Sequence, residues 1–165
     1  MNELQEELEE KNFGDLNQNI LLQAISGLIQ NDTTTKAITE LSGESLRDNW
    51  QLFCESLRKS IDFLSSELNC SHLDFLPAQQ QIISLVKFFG ITGMPSAVQL
   101  KELKKMFWKI SFTNKYSTGQ TTDKMNFDIQ KIIEIRNNNF IESNKIRYTV
   151  TKNELIETKF SKANP

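Results

Sequence analysis

From Ile82 to Phe89 the chain reads Ile-Ile-Ser-Leu-Val-Lys-Phe-Phe, with Ser84 and Lys87 as the only interruptions of an apolar run. Wound at about 100° per residue, these side chains cover nearly the whole circumference of a helix. Such a helix has no side to offer water, so other elements must enclose it. Pro77 suits the first position of this helix, where a missing N–H costs nothing. Gly90, Gly93 and Pro95 end it. The remaining chain must therefore supply the enclosing layer.

It supplies amphipathic helices. Asp15-Leu16-Asn17-Gln18 has the form of a capping box. It opens a helix whose buried side is Leu16, Ile20, Ala24 and Leu28, joined by Leu21, Ile25 and Ile29. Asn31 to Thr35 breaks it, and a short helix runs on to Leu41. Gly43 to Asn69 reads as the longest helix, with Leu46, Trp50, Phe53, Leu57, Ile61, Leu64 and Leu68 at three- and four-residue steps. The stripe spans only about three heptads and carries bulky Trp50 and Phe53, which favours packing within the chain over a coiled coil. Ser96 to Gln99 is a second capping box. It launches a helix with Leu100, Leu103, Met106, Phe107 and Ile110 directed at the central segment. Thr122 or Asp123 starts another, with Met125, Ile129, Ile132 and Ile133 inward, stopped by Asn137-Asn138-Asn139.

The two ends read differently. Leu4 and Leu8 in a Glu-rich context make a short helix with too few apolar contacts to stand alone, the tail of something longer. Near the other end, Arg147-Tyr148-Thr149-Val150 alternates like a short strand. Thr151 to Glu154 caps a helix that reaches only Phe160, which leaves Leu155, Ile156 and Phe160 as an uncovered apolar surface open to self-association. The expected fold is all-α: a multi-helix bundle over residues 1–139, followed by a partial C-terminal segment, 140–165, with a possible strand.

Charge is divided unevenly. Residues 1–86 carry five basic and fourteen acidic residues, and residues 87–165 carry fourteen basic and seven acidic. That polarity either steers a polyanion to the C-terminal half or is neutralised between the halves. The acidic start MNELQEELEEK lacks the features of a secretory signal, and no run approaches the ~20 apolar residues of a membrane span. Cys54 and Cys70 cannot build a disulfide framework. A cytoplasmic protein with reduced thiols and no membrane partner is expected.

Chemistry is sparse. His72 is the only histidine, which leaves triads and histidine-rich metal sites without material, and Cys70 with His72 is too few ligands for zinc. No phosphate-cradling glycine motif occurs. The carboxylates Glu6, Glu7, Glu9 and Glu10 read as solvated surface. No cofactor and no catalytic residue is expected, and the chain alone is not expected to be an enzyme. The unusual feature lies on the helix after Ser96. There Trp108 and Phe112 point into an arc of Lys101, Lys104, Lys105 and Lys109. A tryptophan amid lysines either is covered by another element or meets a ligand. In the loop beyond it, the hydroxyls and backbone N–H groups of Tyr116-Ser117-Thr118-Gly119, flanked by Lys115 and Lys109, could hold a phosphate; equally, the loop is a turn in which Gly119 supplies a positive φ and Ser117 caps a helix end.

Here the chain resembles a known family. Phe107-Trp108, Ser111, Tyr116-Ser117, Gly119, Lys124 and Asp128 follow one another as in the helical region of GmrSD-type restriction proteins. Phe75-Leu76-Pro77 before the apolar run, Phe13-Gly14-Asp15-Leu16, and Asn49-Trp50 are similar to it as well. The family has tryptophan at the place of Met106 and arginine at the place of Lys115. Its proteins begin with a ParB/sulfiredoxin-like nuclease domain carrying an Asp-Gly-Gln-Gln-Arg motif, and many end in an HNH nuclease; neither motif occurs here. The resemblance implies a helical scaffold that couples nuclease-type domains in phage defence, either the middle of a larger protein or a truncated relative. The alternative is a module binding DNA or another nucleic acid through Lys101, Lys104, Lys105, Trp108, Lys109, Lys115, Tyr116 and Ser117.

Overall fold

The computed structural model describes residues 2–117 and 119–139. Seven α-helices occur among them: α1 (Asn2–Glu10), α2 (Gln18–Gln30), α3 (Thr35–Glu40), α4 (Gly43–Glu67), α5 (Gln81–Gly90), α6 (Ala97–Phe112) and α7 (Thr121–Arg136). The all-α bundle is as expected, and α5 is its axle. It packs against α2, α4 and α7, and Ile82, Ile83, Leu85, Val86 and Phe88 are all buried. Phe89, expected inside with Phe88, is only half-buried. It lies at the rim with its ring 5.6 Å from Phe63 and 5.1 Å from Phe88, both edge-on. Lys87 is buried as well: its ammonium donates to the Leu28 carbonyl at 2.7 Å, in the last turn of α2 where carbonyls lack helical partners. Two glycines permit the close approach. A Cβ on Gly90 would lie 2.2 Å from Leu28 Cδ1, and one on Gly27 would lie 2.7 Å from Ile129 Cδ1.

Around α5, Phe53, Leu57, Ile61 and Leu64 of α4 meet Ala24, Ile25 and Leu28 of α2 and Met125, Ile129 and Ile132 of α7 in one core. Trp50, on the same stripe of α4, is nonetheless 40% exposed, its ring tilted against Phe53 at 5.6 Å. Helix α1 is not an orphan. Leu4 and Leu8 are buried with Phe13, and Glu7 accepts from Arg58 of α4 at 2.5 and 2.9 Å. The hydrogen bonds from Arg58 hold the Glu7 carboxyl below its ordinary pKa.

Three helix starts differ from the sequence expectation, that of α7 only by opening at Thr121, one residue before Thr122. The cap of α2 is Asn17, which accepts from the Asn19 N–H at 2.8 Å; the Asp15 box is not used. Leu16 is buried, so the chain turns inward before the helix begins. Helix α5 begins at Gln81 and not at Pro77: Gln81, Ile82 and Ile83 donate to Ala78, Gln79 and Gln80, tight turns that prepare the first helical bonds. At Ser96 both halves of the expected capping box form. The strand at 147–150 and the helix reaching Phe160 lie outside the described residues.

Beyond the core, polar side chains knit the loops. Asn126 of α7 accepts from the backbone and the hydroxyl of Thr33, both at 2.8 Å, and donates to Asp32. Arg136, the last residue of α7, donates to the carbonyls of Ile91, Thr92 and Gly93 and to the Gln99 side chain. No described helix is long and apolar enough to cross a membrane.

Candidate functional site

Helix α6 has two faces. Leu103, Phe107 and Ile110 are buried, while Leu100 and Met106 lie at the margin. Gln81 of α5 anchors the helix from behind, donating to the Phe107 carbonyl at 3.1 Å and to the Ser111 hydroxyl at 3.0 Å. On the outer side Trp108 is 41% and Phe112 48% exposed. Their rings stack at 5.7 Å with 25° between planes, and the rings of Phe107 and Trp108 meet at right angles at 5.4 Å. No described helix covers this pair, and no described lysine lies over the indole; the cation–ring contacts among the described residues fall on Phe127 and Phe88 instead. The expected cover over Trp108 is therefore not found among the described residues.

The lysines separate into groups. Lys101 and Lys109 are exposed and have no carboxylate partner among the described residues. Lys105 pairs with Glu102 one turn back, at 2.5 Å. Lys104 reaches across to Glu67 of α4. Exposed pairs of this kind contribute little and leave the lysines able to exchange partners.

The loop after α6 is built for a different purpose. Asn114 turns the chain with φ 47°, and Lys115–Ser117 forms one 3-10 turn. Lys115 folds inward onto Asp128 of α7, the two side chains only 8% and 3% exposed. The Tyr116 hydroxyl donates to the other Asp128 oxygen at 2.5 Å, and Lys124 donates to the Lys115 carbonyl at 2.9 Å. Burial pushes the Asp128 carboxyl above its ordinary pKa, against the opposing pull of Lys115 and Tyr116. Expected as phosphate ligands, Lys115 and Tyr116 have their polar ends on a buried carboxylate instead. The Ser117 hydroxyl donates back to Asn114 at 2.8 Å and does not cap α7. The positive φ expected at Gly119 falls one residue later, at Gln120, φ 62°.

Of the sequence-derived set, Lys101, Lys105, Trp108 and Lys109 share the open face, and Lys104 stands at its edge. Lys115 and Tyr116 are turned away from it. Sequence reasoning missed Val98, 54% exposed on the same side. The spacing Val98, Lys101, Lys105, Trp108, Phe112, in steps of three and four, carries the signal that would have found it.

Elsewhere chemistry stays thin. No group of three or more His, Cys, Asp or Glu side chains is placed to hold a metal among the described residues. The Cys70 thiol, pushed up to about 11 by burial, donates to the His72 carbonyl at 3.7 Å. The His72 ring caps the turn Leu73–Phe75 by accepting from the Asp74 N–H. In comparisons with known proteins, no family model, no curated protein and no solved structure matches the chain.

Proposed function

We propose that the chain is a helical scaffold and coupling domain of a GmrSD-like, modification-dependent restriction protein, with no catalytic residue of its own. The observation that supports this reading is the division of polar groups. Ser111, Tyr116, Lys124 and Asp128, which carry the family resemblance, all serve as internal braces. One helix face meanwhile stays bare among the described residues. A body that spends its reactive groups on its own joints and leaves one face open is suited to holding other domains. The partners are nuclease-type domains. The test mixes the protein with a purified ParB/sulfiredoxin-like nuclease domain of the GmrSD type and measures association by calorimetry. Association that Trp108→Ala weakens at a nearly unchanged melting point is the expected result. DNA cleavage by the chain alone, or absence of any complex, would overturn the reading.

A second reading has one observation in its favour: Lys101 and Lys109 flank an exposed tryptophan without carboxylate partners among the described residues. Nucleic-acid binding through these groups and Lys105 would show a salt slope that flattens by about 0.7–0.9 for each phosphate contact removed by Lys→Gln. Trp108→Ala would then cost about 1–3 kcal/mol of affinity for a single strand.

A further inference from the structure

We infer that the outer face of α6 is a seam for one amphipathic helix of a partner protein, apolar at both ends and acidic at its centre. The inference rests on the scaffold reading and names the chemistry of its partner. Val98, Lys101, Lys105, Trp108 and Phe112 follow one another in steps of three, four, three and four, the spacing by which one helix presents a continuous line to another. At about 1.5 Å per residue the line is roughly 21 Å long. Val98, Trp108 and Phe112 keep about half of their surface open to water, while the opposite side, Leu103, Phe107 and Ile110, is sealed against the core.

Charge selects the occupant. Lys101 and Lys105 stand inside the line and Lys109 beside it; Glu102 is the only carboxylate that α6 itself contributes. A second copy of the same face would set these lysines against their equals, which is unfavourable. A helix with glutamates at its centre and aliphatic side chains at its ends satisfies both parts of the line. A nucleic-acid strand satisfies one part only. Phe112 is already stacked on one face of Trp108, so a base would compete with that ring for part of the indole. Val98, at the far end, has no use for a phosphate.

The test uses the full chain and follows binding by the fluorescence anisotropy of a dye-labelled peptide. The probes are two synthetic three-heptad helical peptides with leucine at the outer seam positions, one with Glu and one with Lys at the central ones. The expected result is saturable binding of the Glu peptide, at least about tenfold weaker with Trp108→Ala. The double variant Lys101→Glu/Lys105→Glu, its fold checked by circular dichroism, should reverse the preference toward the Lys peptide. Equal binding of both peptides, no binding of either, dimerisation through α6 in sedimentation, or tighter binding of oligo(dT) through the same residues would each overturn the seam. A nuclease-type domain captured by a protein that ignores the Glu peptide would sink the seam and leave the scaffold. Peptide binding with no nuclease-domain complex would sink the restriction reading and leave the seam.

Discussion

Helices α5 and α6 lie one after the other in the chain and follow opposite rules. Helix α5 has even its lysine buried, with that charge spent on a helix end. Helix α6 buries only Leu103, Phe107 and Ile110 among its apolar residues and holds a tryptophan and a phenylalanine out among lysines. An all-round apolar helix has one possible environment, whereas a two-faced helix with aromatics on both sides leaves one of them unexplained by folding alone. Stability resides in the first helix and in the brace around Asp128, and the partner specificity proposed above resides in the second.

Substitutions can break or sharpen this contrast. The largest effect is expected from Phe88→Ala, which empties a fully buried site under the Arg136 guanidinium; about 3–5 kcal/mol should be lost in chemical denaturation. Asp128→Ala should follow at about 3 kcal/mol, because it leaves the Lys115 ammonium buried without its carboxylate. Trp108→Ala should cost only about 0.5–1.5 kcal/mol, the worth of its ring contacts with Phe112 and Phe107. A loss as large as that of Phe88→Ala would mean that the outer face of α6 is covered in solution, and the contrast would fail.

The smallest effect is expected with pH. The Thr34 backbone N–H, followed by Asn126, holds the Asp32 carboxyl below its ordinary pKa. Its folded pKa is therefore below its unfolded one. The stabilisation is present above the ordinary carboxylate range and is lost as pH falls through the folded value. Melting temperatures between neutral and acid pH should decline less steeply in Asn126→Ala than in the parent chain. An identical decline would exclude this contact as a contributor.

How much of this was legible in the sequence depends on the kind of interaction. The enclosure of α5, the length of α4 and the Ser96 box were readable because period, length and capping are local properties. The docking of α1 was not, since two leucines in an acidic run say nothing until Phe13 and Arg58 arrive from elsewhere. The choice of Asn17 over Asp15 turned on the burial of Leu16 between two equally good capping residues. At the candidate site the Trp108 arc was plain from helical spacing. The fate of Lys115 was not, because its carboxylate lies on the next helix and the direction of a loop lysine is set by tertiary contacts. Val98 went unnoticed because a lone exposed valine is common; only the line it continues makes it informative.

The junction at Arg136 has a consequence for how the molecule opens. Its guanidinium belongs to the final turn of α7, and the carbonyls it gathers belong to the turn between α5 and α6. Gln99 returns the grip by donating to the Arg136 carbonyl at 2.7 Å. Fraying from the α7 end must break this junction before the turn is released, and each step exposes carbonyls that lost their water on folding. In amide hydrogen exchange, α5, α6 and α7 should therefore behave as a single cooperative unit.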